Sequence, residues 1–107
     1  MLVNIVSLEE LLLMAKAIWN DTIIAESEDT IIVEGNHYFP VESVNQAFLR
    51  PNDQHTTCFW KGVANYCDIE VNGKTNPGAA WYYPEPNDAA KQIQNHVAFW
   101  KGVKVTT

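Results

Sequence analysis

Val63-Ala64-Asn65-Tyr66-Cys67-Asp68-Ile69-Glu70-Val71 leads into Asn72-Gly73, and Ala79-Ala80-Trp81-Tyr82-Tyr83-Pro84 follows shortly after. In the first stretch Val63, Cys67, Ile69 and Val71 fall on one face of an extended strand, and Ala64, Tyr66, Asp68 and Glu70 on the other. Asn and Gly both accept positive φ, so Asn72-Gly73 is a strong two-residue hairpin turn. Residues 79–83 return as the partner strand, with Trp81 and Tyr83 pointing one way and Tyr82 the other. An antiparallel β-hairpin is therefore expected at the centre of the fold.

Just upstream, Thr57-Cys58-Phe59-Trp60-Lys61-Gly62 adds a thiol, a lysine and two more rings beside a turn. Large rings are costly to leave in water, so the two blocks mark either a dense core or a shaped pocket. Phe59-Trp60-Lys61-Gly62-Val63 recurs as Phe99-Trp100-Lys101-Gly102-Val103, but nothing around it repeats. The recurrence is read as coincidence or as two strands meeting similar turns, because a repeat architecture needs a longer self-similar unit.

Elsewhere the pattern is again mostly β. A run from Lys16 through Ile23 and Ile24 stops at the polar cluster Glu26-Ser27-Glu28-Asp29. Thr30-Ile31-Ile32-Val33-Glu34 then reads as the second strand of that hairpin. Gly35-Asn36 is expected to turn the chain into a short strand, His37-Tyr38-Phe39, closed by Pro40. Residues 41–45 fit one helical turn, residues 46–50 a short extended piece, and residues 52–56 a polar loop. A short helix is expected over residues 88–94, with strands over 96–100 and 103–106. At the N-terminus Ser7-Leu8-Glu9-Glu10 is a helix-start signature, predicting a helix over residues 8–14. Residues 1–13 are read as an extension outside the main fold, as from an upstream start codon, and residues 14–107 as one domain. If ordered, the leucines of the extension need a surface, which a second subunit could supply in a homodimer.

The chain has 107 residues, enough for one compact domain, and 47% are hydrophobic, enough for a core without staples. Thirteen acidic residues against seven basic give a net charge of −6. That balance disfavours nucleic acid and anionic membrane surfaces, which need clustered Lys and Arg. With two cysteines, no basic leader and no apolar run long enough to span a bilayer, a cytoplasmic, reduced protein is expected.

No metal or cofactor is expected. Cys58 and Cys67 are not in paired Cys-x-x-Cys turns, and His37, His55 and His96 lack metal spacing. A nucleophilic Cys58, activated by Lys61 with His37 or His55 as base, is set against the commoner state of cysteine as a small buried hydrophobe. Asp68 and Glu70 share a strand face and could hold magnesium for nucleotidyl transfer, set against an ordinary solvated face without a phosphate loop. The aromatic blocks admit a pocket and a core equally. In the pocket reading Tyr38, Trp60, Tyr66, Trp81 and Tyr83 form the walls, with Lys61 and Glu34 as polar anchors and Cys58 beside them.

At these residues the chain resembles an uncharacterised family, domain-of-unknown-function family 427. The matching blocks are Val33-Glu34-Gly35, Tyr38-Phe39-Pro40, Thr57-Cys58, Trp60-Lys61-Gly62, Ala64, Tyr66, Ala79-Ala80-Trp81-Tyr82-Tyr83-Pro84, Pro86 and Val97-Ala98-Phe99, over about residues 14–106. The resemblance implies a mainly β, β-tent-like fold: two antiparallel sheets pinned at one edge, with one or two short helices. Relatives of that fold include zinc-bearing domains and an aromatic-cage ligand-binding domain. This sequence lacks the paired cysteine turns, so the zinc is not carried over. The family also bears a nucleotidyltransferase label, which here has only Asp68 and Glu70 behind it. The function expected first is small-molecule binding in an aromatic-lined pocket. An enzyme using Asp68 and Glu70 with magnesium, or Cys58, is the alternative, followed by a homo-oligomeric interaction module.

Overall fold

A computed structural model describes residues 7–107 of the protein. It is mainly β, with two sheets of antiparallel strands. The smaller sheet has the order β2-β1-β9, and the larger β3-β4-β8-β7-β6-β5. In chain order the strands are β1 (Ala15–Trp19), β2 (Thr22–Ser27), β3 (Ile31–Val33), β4 (Asn36–Pro40), β5 (Leu49–Cys58), β6 (Gly62–Val71), β7 (Lys74–Tyr82), β8 (His96–Phe99) and β9 (Lys104–Thr106). One short helix, α1 (Leu8–Leu13), precedes them. The first six residues of the expected extension lie outside the described residues.

The central hairpin forms as the alternation predicts. Asn72 and Gly73 take φ of 52° and 79° and join Val71 to Lys74. Beyond Cys67 the β6–β7 register shifts: Cys67 faces Ala80, yet Ile69 faces Asn76. Gly78 absorbs this bulge with φ of 64°, a conformation open to a residue without Cβ. Asp68 closes it, because its Oδ1 accepts from the Gly78 N–H at 2.8 Å and from Asn52 Nδ2 at 2.7 Å.

The extra residues of the bulge lie on β7, so β6 keeps its alternation and carries core on both faces. Ala64 and Tyr66 are buried on one face, and Ile69 and Val71 on the other. The inner cluster joins the sheets, packing Ala15, Ala17, Ile24 and Ala25 of the smaller sheet against Phe39, Ile69, Ala80, Val97 and Phe99. The outer cluster holds Tyr38, Tyr66, Tyr83, Ala90, Ile93 and Ala98, with Trp60 and Trp81 partly buried against it. Burial of a side chain such as Phe39 or Ile69 contributes about 1.5–3 kcal/mol. Segment 41–48 ties the sheets together through the Ala25–Val44 bridge and the Asn45 N–H donating to the Ile24 carbonyl at 2.8 Å.

Several local expectations are corrected. The first hairpin turns at Asn20-Asp21, both at positive φ, so β1 pairs with β2. β3 pairs instead with β4, in the other sheet, through a turn at Glu34-Gly35 and not Gly35-Asn36. Residues 52–56 are not a loop. They belong to β5, an edge strand mostly open to water, whose polar residues give no hydrophobic period. Residues 46–48 form a 3-10 turn where an extended piece is expected. The helix at Asp88–Ile93 is 3-10 and kinked at Ala90, where φ is −120°.

Candidate functional site

The expected site residues do gather, but as a packed cluster. Tyr38 is fully buried, Tyr66 and Tyr83 nearly so, and Lys61 is the one buried charged residue among those described. The Lys61 ammonium donates to Glu34 Oε1, on the turn between β3 and β4. It also lies 5.5 Å from the Trp60 ring centre and 5.6 Å from that of Tyr83, within cation–π range of both. Trp81 Nε1 donates to Tyr38 Oη at 3.2 Å, and the two rings meet edge to face. Tyr66 Oη pairs with Thr56 Oγ1 at 2.8 Å. Cys58 sits half-buried against this cluster. Lys61 and Glu34 are thus each other's partners, and the polar tips of Tyr38, Tyr66 and Trp81 are answered within the protein.

Electrostatics fits this closed arrangement. Burial pushes Lys61 down, but the Glu34 hydrogen bond, with the charges of Tyr38, Tyr83 and Glu34, outweighs it and raises the group to about 12. Burial pushes the Tyr83 phenol up, against a smaller downward pull from Lys61.

The histidines considered as bases for Cys58 have other partners. His37 Nδ1 is 2.9 Å from Thr30 Oγ1, and His55 Nδ1 is 2.9 Å from Asn65 Oδ1. The two carboxylates considered for magnesium serve local structure. Asp68 holds the bulge, and Glu70 Oε2 faces Arg50 Nε at 3.6 Å. Among the described residues no three His, Cys, Asp or Glu side chains converge as metal ligands. No helix there is long and apolar enough to cross a membrane.

An open cleft lies elsewhere. A cleft of about 470 Å³ lies on the inner face of the larger sheet, beside segment 41–48. Cys67 of β6, Tyr82 of β7 and Val97 of β8 contribute its floor, from three neighbouring strands. Leu49 and Pro51 at the start of β5, Val41 and Pro84 extend the apolar lining, while Gln46, Arg50, Asn95 and His96 add polar groups. Of the expected pocket residues only Tyr83 borders it. Burial and the neighbouring Asp68 push the Cys67 thiol up, so it is neutral and a poor nucleophile near pH 7. His96 Nδ1 donates to the Gln94 carbonyl at 2.7 Å, which leaves Nε2 as the unprotonated nitrogen of the neutral ring.

The cleft residues Arg50, Tyr82 and His96 are not among the candidates the sequence points to. The alternation that sends Tyr82 to the face opposite Trp81 was the available signal. Arg50 and His96 had none, because β5 and β8 are brought to one cleft only by the strand order.

No curated protein matches the chain. A family model described as Domain of unknown function (DUF427) matches residues 8–107, which takes in α1 and all nine strands. The chain belongs to that family.

Proposed function

We propose that this domain binds a small organic molecule, and that the molecule occupies the inner cleft with the outer aromatic cluster as its rigid backing. The observation that carries this reading is the cleft itself. Its volume of about 470 Å³ falls within the range of small-molecule sites, and it combines a largely apolar floor with a few polar groups. Its aromatic residues are Tyr82, on the face of β7 opposite Trp81, and Tyr83 just past the strand end. Free thiols at Cys58 and Cys67 suit a reducing compartment, in keeping with a cytoplasmic binding protein.

The test is a thermal-shift screen of metabolite-sized compounds against the wild type and Val41→Trp. Val41 is 39% exposed at the cleft, so a Trp there fills the space without entering the core. Compounds that raise the wild-type Tm should not raise that of a cooperatively folding Val41→Trp. Equal stabilisation of both would place binding outside the cleft.

A second reading, pairing of two copies through α1, is favoured by one observation. Leu8, Leu11, Leu12 and Leu13 are 72%, 52%, 69% and 71% exposed, and α1 buries none of its residues.

A further inference from the structure

We infer that the inner cleft continues into a second hollow, and that together they take an elongated organic amine. Its apolar body lies in the cleft and its ammonium head over Gly62. This deepens the small-molecule reading and rests on it. Continuity is the first ground. The second hollow, of about 320 Å³, is lined by Gly62, Val63, Asn65, Pro84, Glu85 and Asn87. Pro84 borders both spaces, and Asn65 stands opposite Tyr82 of the cleft floor in the β6–β7 register. Val63 and Asn65 alternate with Ala64 and Tyr66, so they share the face of β6 that carries Cys67. On that face Ile69 and Val71 are buried in the cluster that joins the sheets, whereas Val63 is 48% exposed. From Cys67 to Val63 the strand offers about 13 Å of open floor, which suits an elongated ligand.

The second ground is the pair of oxygens at the far end. The Glu85 carbonyl oxygen and Asn87 Oδ1 lie 3.3 Å and 3.6 Å from the point where a Cβ on Gly62 would stand. Neither accepts a hydrogen bond within the protein among the described residues. The donors of Asn87 are already committed. Its backbone N–H goes to the Lys61 carbonyl at 2.9 Å, and Nδ2 goes to the Phe59 carbonyl at 3.4 Å. Two neighbouring acceptors without partners call for a head that donates more than one hydrogen bond, as an ammonium does.

Charge is the third ground. Glu85 is the one charged residue that lines the second hollow, among the described residues. Lys61 is the chain neighbour of Gly62, but its ammonium is directed to Glu34. Arg50 borders the inner cleft, yet the register sets it opposite Asp68 and its Nε faces Glu70. Its charge therefore belongs to the sheet face away from Cys67. A cationic head at Gly62 meets oxygens and an acidic residue, and no lysine or arginine of that lining repels it.

Isothermal titration of the intact chain with 4-phenylbutylamine and 4-phenylbutanol tests the inference. It is run at about pH 8, where a neutral His96 adds no charge. The two compounds share one apolar body and differ in the head. The amine should bind about tenfold tighter than the alcohol, the scale of one charge-assisted hydrogen bond. Asn87→Ala removes one of the two acceptors and should cut that preference by about threefold or more, with alcohol affinity unchanged. Val63→Trp, at a half-exposed position, should fill the second hollow and remove the preference altogether. Val41→Trp should abolish binding of both compounds. Equal binding of amine and alcohol by the wild type overturns the inference and leaves the cleft reading standing. So does a preference that survives both Asn87→Ala and Val63→Trp. Absence of binding by either compound at millimolar concentration also overturns it, while the Val41→Trp screen judges the cleft independently. If Asn87→Ala fails to fold, the wild-type ratio and Val63→Trp still decide.

Discussion

The Lys61 ammonium and the Glu34 carboxylate join two turns that are 27 residues apart in the chain. Glu34 occupies a turn position with φ of 53°, where Asn, Asp or Gly is usual. A glutamate there costs on the order of 1 kcal/mol in backbone strain. Its carboxylate reaches a lysine that would otherwise be buried without a counter-charge. Glu34→Gln should therefore destabilise the fold by about 1–3 kcal/mol, since it strands that ammonium. Lys61→Met, which removes the buried charge altogether, should cost less. Urea unfolding of the two variants measures both, and a greater loss in Lys61→Met would show the pair to be a net source of stability.

Alkaline pH should weaken the protein through the same cluster. Lys61 is raised to about 12 from an ordinary 10.5, and Tyr83 is raised as well. In each case the folded state holds its proton more tightly than the unfolded chain does. The stabilisation is fully present below the unfolded values, near pH 10, and is lost as pH rises towards 12. Urea midpoints measured from pH 8 to about 11.5 should fall at the alkaline end, and fall less steeply in Lys61→Met.

Asp68 acts as the clamp of a β-bulge. Asp68→Ala should cost about 2–4 kcal/mol for two hydrogen bonds to a charged acceptor, and Asp68→Asn about half of that. Magnesium should change the unfolding midpoint of neither the wild type nor the variants. A midpoint raised by millimolar magnesium in the wild type alone would restore the carboxylates as a metal site.

The central hairpin is legible because Asn72 and Gly73 both accept positive φ and the alternation along β6 is regular. The opposite orientation of Trp81 and Tyr82 followed from the same period. β5 escaped notice because an edge strand in water has no apolar face to read, and Thr56, Thr57 and His55 look like loop. In the sequence Glu34 and Lys61 stand out as polar groups near the rings. Their pairing with each other depends on two turns meeting in space. The cleft was harder still: residues from segments 41–51, 67, 82–84 and 95–97 share no motif and meet only through strand order.

Removal of residues 1–13 should leave the two sheets intact, since α1 contributes no buried residue. Sedimentation equilibrium of residues 14–107 beside the full chain tests the pairing of copies through its leucines. A dimer that becomes a monomer supports that reading, and an unchanged mass removes it.

Amide chemical-shift mapping on 15N-labelled protein locates the ligand most directly, with titration by the compounds that raise Tm in the screen. Shifts should concentrate at Arg50, Cys67, Tyr82, His96 and Val97. Shifts confined to Glu34, Trp60, Lys61 and Trp81, with the cleft residues unmoved, would contradict binding in the cleft and return the site to the outer aromatic cluster.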